Sequence, residues 1–354
     1  MCKILGCGAL NLDYLFVVES LEHPILSSLG IKAGEEISGS REDAQKLLSF
    51  LDSYAISSYK CAGGSSANTI AVLSSLGFNC AFCGTVGNDS EGEFILSSIR
   101  DKIDTSFIKK EGLSSICIVV LDKNNRDRAL FVVGPKGSNF HPIEKINISN
   151  LKLLHFSSLV QKDGLVFQRK LAQKYGFDHI ISFDPGEIYA KKGINKLMNF
   201  LRMTDLIFLT ERELKLLTGK NLRDAIKDLF LVLGTEKKNF YKKTNFKISM
   251  PMIIVKKGPK GAEAYYLSKP KVISKLKVKA YPVQTIIDNT GAGDSFAAGF
   301  IYGVVKGYDA LSALRAGAFI ASLSLRDFGR RWLDIVGHKL LSLLIREIEA
   351  QEES

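Results

Sequence analysis

Short apolar runs alternate along this chain with longer stretches whose apolar positions recur every three or four residues. KILGCG (3–8) has the first pattern and predicts a strand. SSANTIAVLSSLG (65–77) has the second and predicts a helix that stops at Gly77. NCAFCGTVG follows as a strand and EGEFILSSIRDK as a helix. SICIVVLD and RALFVVG predict neighbouring strands joined by the polar turn KNNRD. The alternation then continues through KLLHFSS (strand), GLVFQRKLAQKYG (helix), HIISFDPG (strand), INKLMNFLRM (helix), DLIFLT (strand) and ERELKLLTG (helix). MIIVKKG and AEAYYLS are later strands. The C-terminal part is mostly helical, over 292–306, 309–323 and about 332–350.

This order predicts an α/β fold: a central, mostly parallel sheet with helices on both faces. Residues 14–62 break the pattern, with few buried-looking runs and one polar helical segment, SREDAQKLLSFLDS. Parts of 14–62 and 114–134 together predict a small β lid over one edge of the main sheet. No internal repeat, low-complexity segment or clean linker divides the chain, so 1–354 is expected to form one domain with that lid.

Composition narrows the class. The 354 residues are 46% hydrophobic and 24% charged, ordinary for a globular protein that buries a core without disulfides. No apolar run approaches the roughly 18 residues needed to cross a bilayer. The N-terminus is interrupted by Asn11 and Asp13 and does not read as a signal peptide, so a cytoplasmic location is expected. Cys80 and Cys83 form a C-x-x-C within a predicted strand; residues three apart there face opposite ways, which argues against a redox pair. The histidines show no metal-ligand spacing. The net charge of +11 is concentrated in residues 236–279, where 13 lysines face two glutamates. These lysines are interleaved with strand-like segments, which favours solvated strand faces over a nucleic-acid surface. Part of the charge could steer an anionic nucleotide.

The candidate chemistry begins at IIDNTGAGDSFAAGF (286–300). Ile286 and Ile287 are expected to end a buried strand, and a helix is expected to start just after them. Its first turn would present free amides and a positive dipole end to an anion. Gly291, Ala292 and Gly293 leave that backbone bare, which suits a phosphate or a sharp turn. Asp294 suits a helix start, and beside a phosphate it could also take the proton of an attacking hydroxyl. CAGGSSANT (61–69) offers a hinge at Gly63 and Gly64 and a polar contact from Asn68. Asn11 and Asp13, expected in a loop after the first strand, suit neighbouring sugar hydroxyls or an Asx turn. Gly258 and Gly261 lie in a turn after a strand. RDFGR lacks the companion motifs of protein kinases, and no P-loop is present. GCGALN starts like a dinucleotide fingerprint but lacks the third glycine.

Together these motifs resemble the ribokinase-like (PfkB) carbohydrate kinases, a family that includes ribokinase, fructokinase and adenosine kinase. DNTGAGDSFAAGF is similar to its second signature and AGGSSANTIAVLSSLGFNCAFCGTVGND to its first, with GALNLD, FDPG and TERELKLLTG in the right order. The resemblance spans about residues 3–330. It implies a ribokinase-like three-layer sandwich and transfer of the γ-phosphate of ATP to a hydroxyl, with Mg²⁺ and, as a further candidate, a monovalent cation. It also implies Asp294 as general base, with Gly291, Ala292 and Gly293 as an anion hole. Asn11, Asp13, Gly63, Gly64 and Asn68 would hold the substrate. Thr210, Glu213, Lys256, Gly258, Gly261 and Asp288 would lie on the nucleotide side, with Glu213 organising the Mg²⁺ water shell.

Two departures stand out. The family usually has Asn-x-x-Glu where this chain has Thr210-Glu211-Arg212-Glu213, and ALRAGAFIASLSL lacks an Asn often found near the adenine. The expected substrate is a small sugar or sugar-containing molecule, with a nucleoside as the alternative. A nucleoside would need an apolar clamp, for which Phe16, Ile116, Ile118 and Phe131 are candidates, although they suit a lid core better. Neither nucleic acid nor membrane is an expected partner, and a monomer or homodimer is expected. Two readings from other classes are a dinucleotide-dependent oxidoreductase and a nucleotide-binding protein without catalysis.

Overall fold

The computed structural model describes residues 3–99, 102–124, 127–243 and 247–352. Arg100 and Asp101 of the expected helix, and Asn125 and Arg126 of the expected turn, lie outside the described residues. The strands are β1 (Lys3–Cys7), β2 (Asn11–Val18), β3 (Glu36–Ser38), β4 (Ser57–Gly63), β5 (Asn79–Val86), β6 (Asp104–Lys110) and β7 (Ser115–Asp122). They continue as β8 (Arg128–Val133), β9 (Leu151–Ser157), β10 (Ile180–Asp184), β11 (Leu206–Thr210), β12 (Met252–Lys256), β13 (Ala262–Lys269) and β14 (Val272–Val278).

Nine of them form one sheet in the order β14-β13-β12-β11-β10-β9-β1-β5-β6. The pairings from β6 through β12 are parallel, and β13 and β14 add an antiparallel edge. The inner parallel strands, β1, β5 and β9 to β12, are almost wholly buried, as a sheet covered on both faces requires, while the edge strand β6 is only partly covered. Side chains alternate between the two cores. In β5, Cys80 and Phe82 join the core packed by the helices Ser65–Ser75, Ala292–Lys306 and Ala310–Ser324. Ala81 and Cys83 join the opposite core, under Gly164–Tyr175 and Gly193–Leu201. Cys80 and Cys83 therefore do face opposite ways.

The remaining five strands form a second sheet, β3-β8-β7-β2-β4. Its outer face packs against the helix Arg41–Tyr54, through Ala44, Leu47 and Leu51. Phe16, Ile116, Ile118 and Phe131 belong to this core and are core residues, not a clamp. The opposite face carries Asn11, Asp13 and Leu15 of β2, with Cys117 and Val119 opposite Asp13 and Leu15 on β7.

Several expectations need correcting. Asn11 and Asp13 are not in a loop; they open β2, directly after the short Gly8–Leu10 link. Because β1 leads into a strand and not a helix, GCGALN does not build the strand–turn–helix of a dinucleotide site. Gly8 is there for packing: a Cβ would lie 2.3 Å from Ser157 Oγ. Ile286 and Ile287 are not in a strand, and Ile286 is exposed. β14 already closes the sheet edge, and the returning chain satisfies its backbone elsewhere, with Ile287 N–H donating to the Leu325 carbonyl at 2.9 Å. The expected helix over 332–350 is two helices, Arg331–Val336 and Leu340–Glu352, with a 3₁₀ turn at Gly337–Lys339 between them. Gly337 packs beside Ser75, and the apolar sets Trp332/Leu333 and Leu340/Leu344/Ile348 are buried separately.

The lysine-rich segment is partly internal. Lys237 is buried on Asp205, Lys256 is partly buried on Asp184, and Lys257 pairs with Glu211 and Glu263. Lys271, Lys275, Lys277 and Lys279 are exposed on or beside the edge strand β14, where charge discourages strand addition. Among the described residues no helix is long and apolar enough to cross a membrane.

Candidate active site

The helix Ala292–Lys306 begins with Gly291 at its N-cap in the left-handed region (φ 76°), a conformation that carries no Cβ penalty for glycine. Ser295 N–H closes the first turn onto the Gly291 carbonyl. The amides of Gly293 and Asp294 have no backbone acceptor among the described residues, as expected for a first helical turn. A Cβ built on Gly293 would lie 3.2 Å from Lys256 Nζ, so the ammonium stands against bare backbone. Two free amides, a helix dipole and one lysine make a cradle for an anion.

Lys256 ends β12, and its Nζ contacts Asp184 Oδ2, at the end of β10, at 2.5 Å. Burial works against its charge, but Asp184 and Glu213 outweigh that and hold its pKa above the ordinary lysine value. It stays a cation throughout the physiological range.

Asp294 projects from the same first turn. Its Oδ1 accepts from Ser65 Oγ at 2.7 Å and its Oδ2 from Asn68 Nδ2 at 2.8 Å. Thr69 Oγ1 also donates to the Asp294 carbonyl, at 3.2 Å. The helix Ser65–Ser75, packed beside this one on the same face of the sheet, thus fixes the carboxylate rotamer. Burial and the Asp184 charge raise the Asp294 pKa; Asn68, Ser65 and Lys256 restrain the rise without cancelling it.

The turn into the helix Ser65–Ser75 needs both its glycines. A Cβ on Gly63 would sit 1.8 Å from the Asp13 carboxylate, and one on Gly64 (φ +106°) would sit 2.1 Å from the Ala9 carbonyl oxygen. Asn11, Asp13 and Asn68 are buried polar residues, and each has an Oδ1 with no hydrogen-bond partner. Buried polar atoms are nearly always satisfied, so three orphan acceptors grouped around one glycine turn mark a place for a ligand's hydroxyls. Burial pushes the Asp13 pKa up to about 8, with Arg330 opposing and Asp294 and Asp288 adding to the rise.

Thr210 and Glu213 form a capping box. Thr210 Oγ1 accepts from Glu213 N–H at 3.1 Å, and Glu213 Oε2 accepts from Thr210 N–H at 2.7 Å. Thr replaces the family's usual Asn here while still supplying an N-cap. Gly261 (φ +87°) is required by the β12–β13 turn, since a Cβ would meet the Val278 carbonyl at 2.0 Å; Gly258 (φ +55°) faces open space.

Asp288 stands in the loop that leads into Gly291. It is buried, and its two oxygens accept the backbone amides of Thr290, at 2.8 Å, and Gly329, at 2.9 Å. Through these two amides it braces the loop before the cradle. Ser65, Asp184 and Arg128, whose Nη1 donates to Asn289 Oδ1 at 2.6 Å, belong to the site and were not singled out by sequence. Asp184 carried a usable signal, an acid closing a buried strand at its carboxyl end. Ser65 and Arg128 carried none.

A family model described as pfkB family carbohydrate kinase matches residues 55–331. The chain belongs to the pfkB carbohydrate kinase family. These are phosphotransferases that act on hydroxyl groups, and this chain is a kinase of that kind. It is 30% identical over 268 residues to an uncharacterized sugar kinase of Archaeoglobus fulgidus, covering 73% of this chain and 96% of that one. It is 26% identical over 332 residues to a nucleoside kinase of Methanocaldococcus jannaschii, covering 93% and 92%. The crystal structure of adenosine kinase from Sinorhizobium meliloti superposes with a TM-score of 0.78 at 18% identity, covering 98% and 99%.

Proposed function

We propose that this kinase transfers the γ-phosphoryl group of ATP to a hydroxyl of a sugar or sugar-containing small molecule, with Asp294 as general base. The observation that carries this reading is the placement of Asp294 at the rim of the cradle, locked by Ser65 and Asn68 and close to Lys256. The substrate hydroxyl would lie between the Asp294 carboxylate and the cradle, with its neighbouring hydroxyls on Asn11, Asp13 and Asn68. As the new O–P bond forms, the hydroxyl proton passes to Asp294 and the bond to the β-phosphate oxygen breaks, releasing ADP. The amides of Gly293 and Asp294 and the Lys256 ammonium stabilise charge on the group in transit.

Among the described residues no three His, Cys, Asp or Glu side chains converge to hold a metal. Beside nucleotides Mg²⁺ is usually held mainly by phosphates and water, with one or two carboxylates. Glu213 and Asp184 are the carboxylates that would face its water shell. When bound, Mg²⁺ neutralises charge on the phosphates.

The second sheet serves as the lid in this reading. Its edge is tied to the main body by Arg212 with Glu35, at 3.2 Å, and by Lys191 with the Glu36 carbonyl, at 2.8 Å. Arg128 reaches the loop before the cradle. Closure there would exclude water from the transferring phosphoryl group.

One feature favours a nucleoside as substrate. Leu15, Cys117, Val119 and Val132 make an apolar wall on the inner face of the small sheet, continued by Tyr59 stacked on Phe328 at 4.3 Å. A base needs such a wall and a free sugar does not. A coupled ADP-release assay over sugars, sugar phosphates and nucleosides tests both readings. Turnover with at least one of these acceptors is expected, and no turnover with any of them would reject the proposal.

A further inference from the structure

A cavity of about 180 Å³ lies between β4, the helices Ser65–Ser75 and Ser90–Ser97, and the segment 330–334. None of the residues assigned above to the cradle, the base or the substrate hydroxyls lines it. Among the described residues, its walls bring together Lys60, Lys102, Arg330 and Arg331 against one carboxylate, Asp334.

Arg330 is the centre of this group. Its Nη2 donates to Ser98 Oγ at 3.2 Å, while its Nη1 is buried with no hydrogen-bond partner. Leaving a buried guanidinium N–H unmade is expensive, and more so for a charged donor. Burial already pulls the Arg330 pKa below its ordinary value. Lys60 lies over the Tyr14 ring at 4.9 Å, and Arg331 over the Tyr59 ring at 5.7 Å. The planar fork of arginine matches the paired oxygens of phosphate or carboxylate, and the flanking cations add field strength.

The cavity is also connected to the chemistry. Cys61 lines it and pairs in register with Asp13 of β2. Gly329, the residue before Arg330, donates its amide to Asp288, whose other oxygen holds Thr290 at the entrance to the cradle. An anion that fixed Arg330 would therefore bear on the position of the 288–291 loop.

We propose that this cavity binds a phosphate-class oxyanion on Arg330, at a site separate from the cradle. Two sources present that chemistry: an anionic group at the far end of the substrate, or a free anion that modulates the enzyme.

The test uses the full chain with inorganic phosphate as the probe and a saturating non-hydrolysable ATP analogue to occupy the cradle. Phosphate should raise the melting temperature of the parent, and Arg330→Gln should weaken that response at least tenfold. A Lys60→Ala/Lys102→Ala double variant, altered at two exposed positions, guards against misfolding of the arginine variant and should weaken the response several-fold. No phosphate response in the parent, or the same response in all three proteins, would overturn the proposal. Kinetics then separate the sources. A rise in KM for phosphorylated sugars in Arg330→Gln at least tenfold greater than any change for neutral acceptors assigns the anion to the substrate. A phosphate-dependent change in turnover of neutral acceptors, lost in the variant, assigns it to a free anion. A chain that ignores the ATP analogue yet keeps the Arg330-dependent response would reject the kinase mechanism and leave this site standing.

Discussion

Asn68 donates its side-chain amide to the Asp294 carboxylate at 2.8 Å, joining residues 226 positions apart. The same side chain keeps its Oδ1 buried and unpartnered. One residue can thus orient the base with its donor and hold a substrate hydroxyl with its acceptor. The relationship explains why the glycine turn and the cradle must be built together: Gly63 and Gly64 start the helix that carries Asn68, and Gly291 starts the helix that carries Asp294.

Gly64→Ala should be among the most damaging small substitutions in the chain. A β-carbon there meets the Ala9 carbonyl at 2.1 Å in a backbone conformation that alanine avoids. Strain and overpacking together should cost about 2–5 kcal/mol. Urea denaturation measures this; a loss below about 1 kcal/mol would mean the turn is not as tight as described.

Asp13 makes stability pH-dependent in an unusual direction. Its folded pKa is raised from 3.8 to about 8, so the folded state holds a proton that the unfolded chain releases. The contribution is fully present below the unfolded value and is lost as pH rises through the folded value. Relative to Asp13→Asn, the parent should therefore lose stability between about pH 4 and pH 8 and then level off. Melting temperatures of both proteins across that range check this; parallel curves would show that Asp13 is ionised in the folded protein.

Asp184 raises the Asp294 pKa through its charge. In Asp184→Asn that repulsion is gone and Lys256 loses its partner, and both changes favour the Asp294 carboxylate. The acid limb of kcat/KM should move to lower pH. A shift to higher pH would show that a different group controls that limb.

Thr210→Asn should keep both activity and stability, because Asn caps a helix as well as Thr does. Thr210→Ala should lose about 1 kcal/mol by removing the cap while leaving the Glu213 side chain in place. Thermal melting and steady-state turnover of the two variants separate these cases. Complete loss of activity in Thr210→Asn would mean that the Thr hydroxyl does more than cap.

Much of this site was legible in the chain because its residues announce themselves through local backbone needs. Glycines at 63, 64 and 293 break helix and strand preference for close approach and Gly291 for its left-handed backbone, and Asp294 and Asn68 follow at fixed offsets. Lys256 and Glu213 were placed on the nucleotide side by family resemblance, not by any pattern of their own. The pairing of Asp184 with Lys256 depends on β10 and β12 lying either side of β11 in the sheet, which sequence spacing does not encode. Ser65 was indistinguishable from a helix cap. The apolar wall was missed by one residue of strand register: Phe16, Ile116, Ile118 and Phe131 face the outer core, and Leu15, Cys117 and Val119 the inner side. The bracing contacts of Asp288 were not legible, because its tertiary partner, Gly329, lies 41 positions away. Arg330 gave no signal, since its burial follows from packing between helices distant in sequence.

The central claim is that Asp294 takes the proton from the attacking hydroxyl. Asp294→Asn keeps the shape of the side chain, with its oxygen accepting from Asn68 and its amide donating to the Ser65 hydroxyl, but removes the base. In a coupled ADP-release assay with the best acceptor from the panel, turnover should fall by at least about 100-fold, while ATP affinity stays within a few-fold of the parent. Turnover within a few-fold of the parent would contradict the account and remove Asp294 from the chemistry.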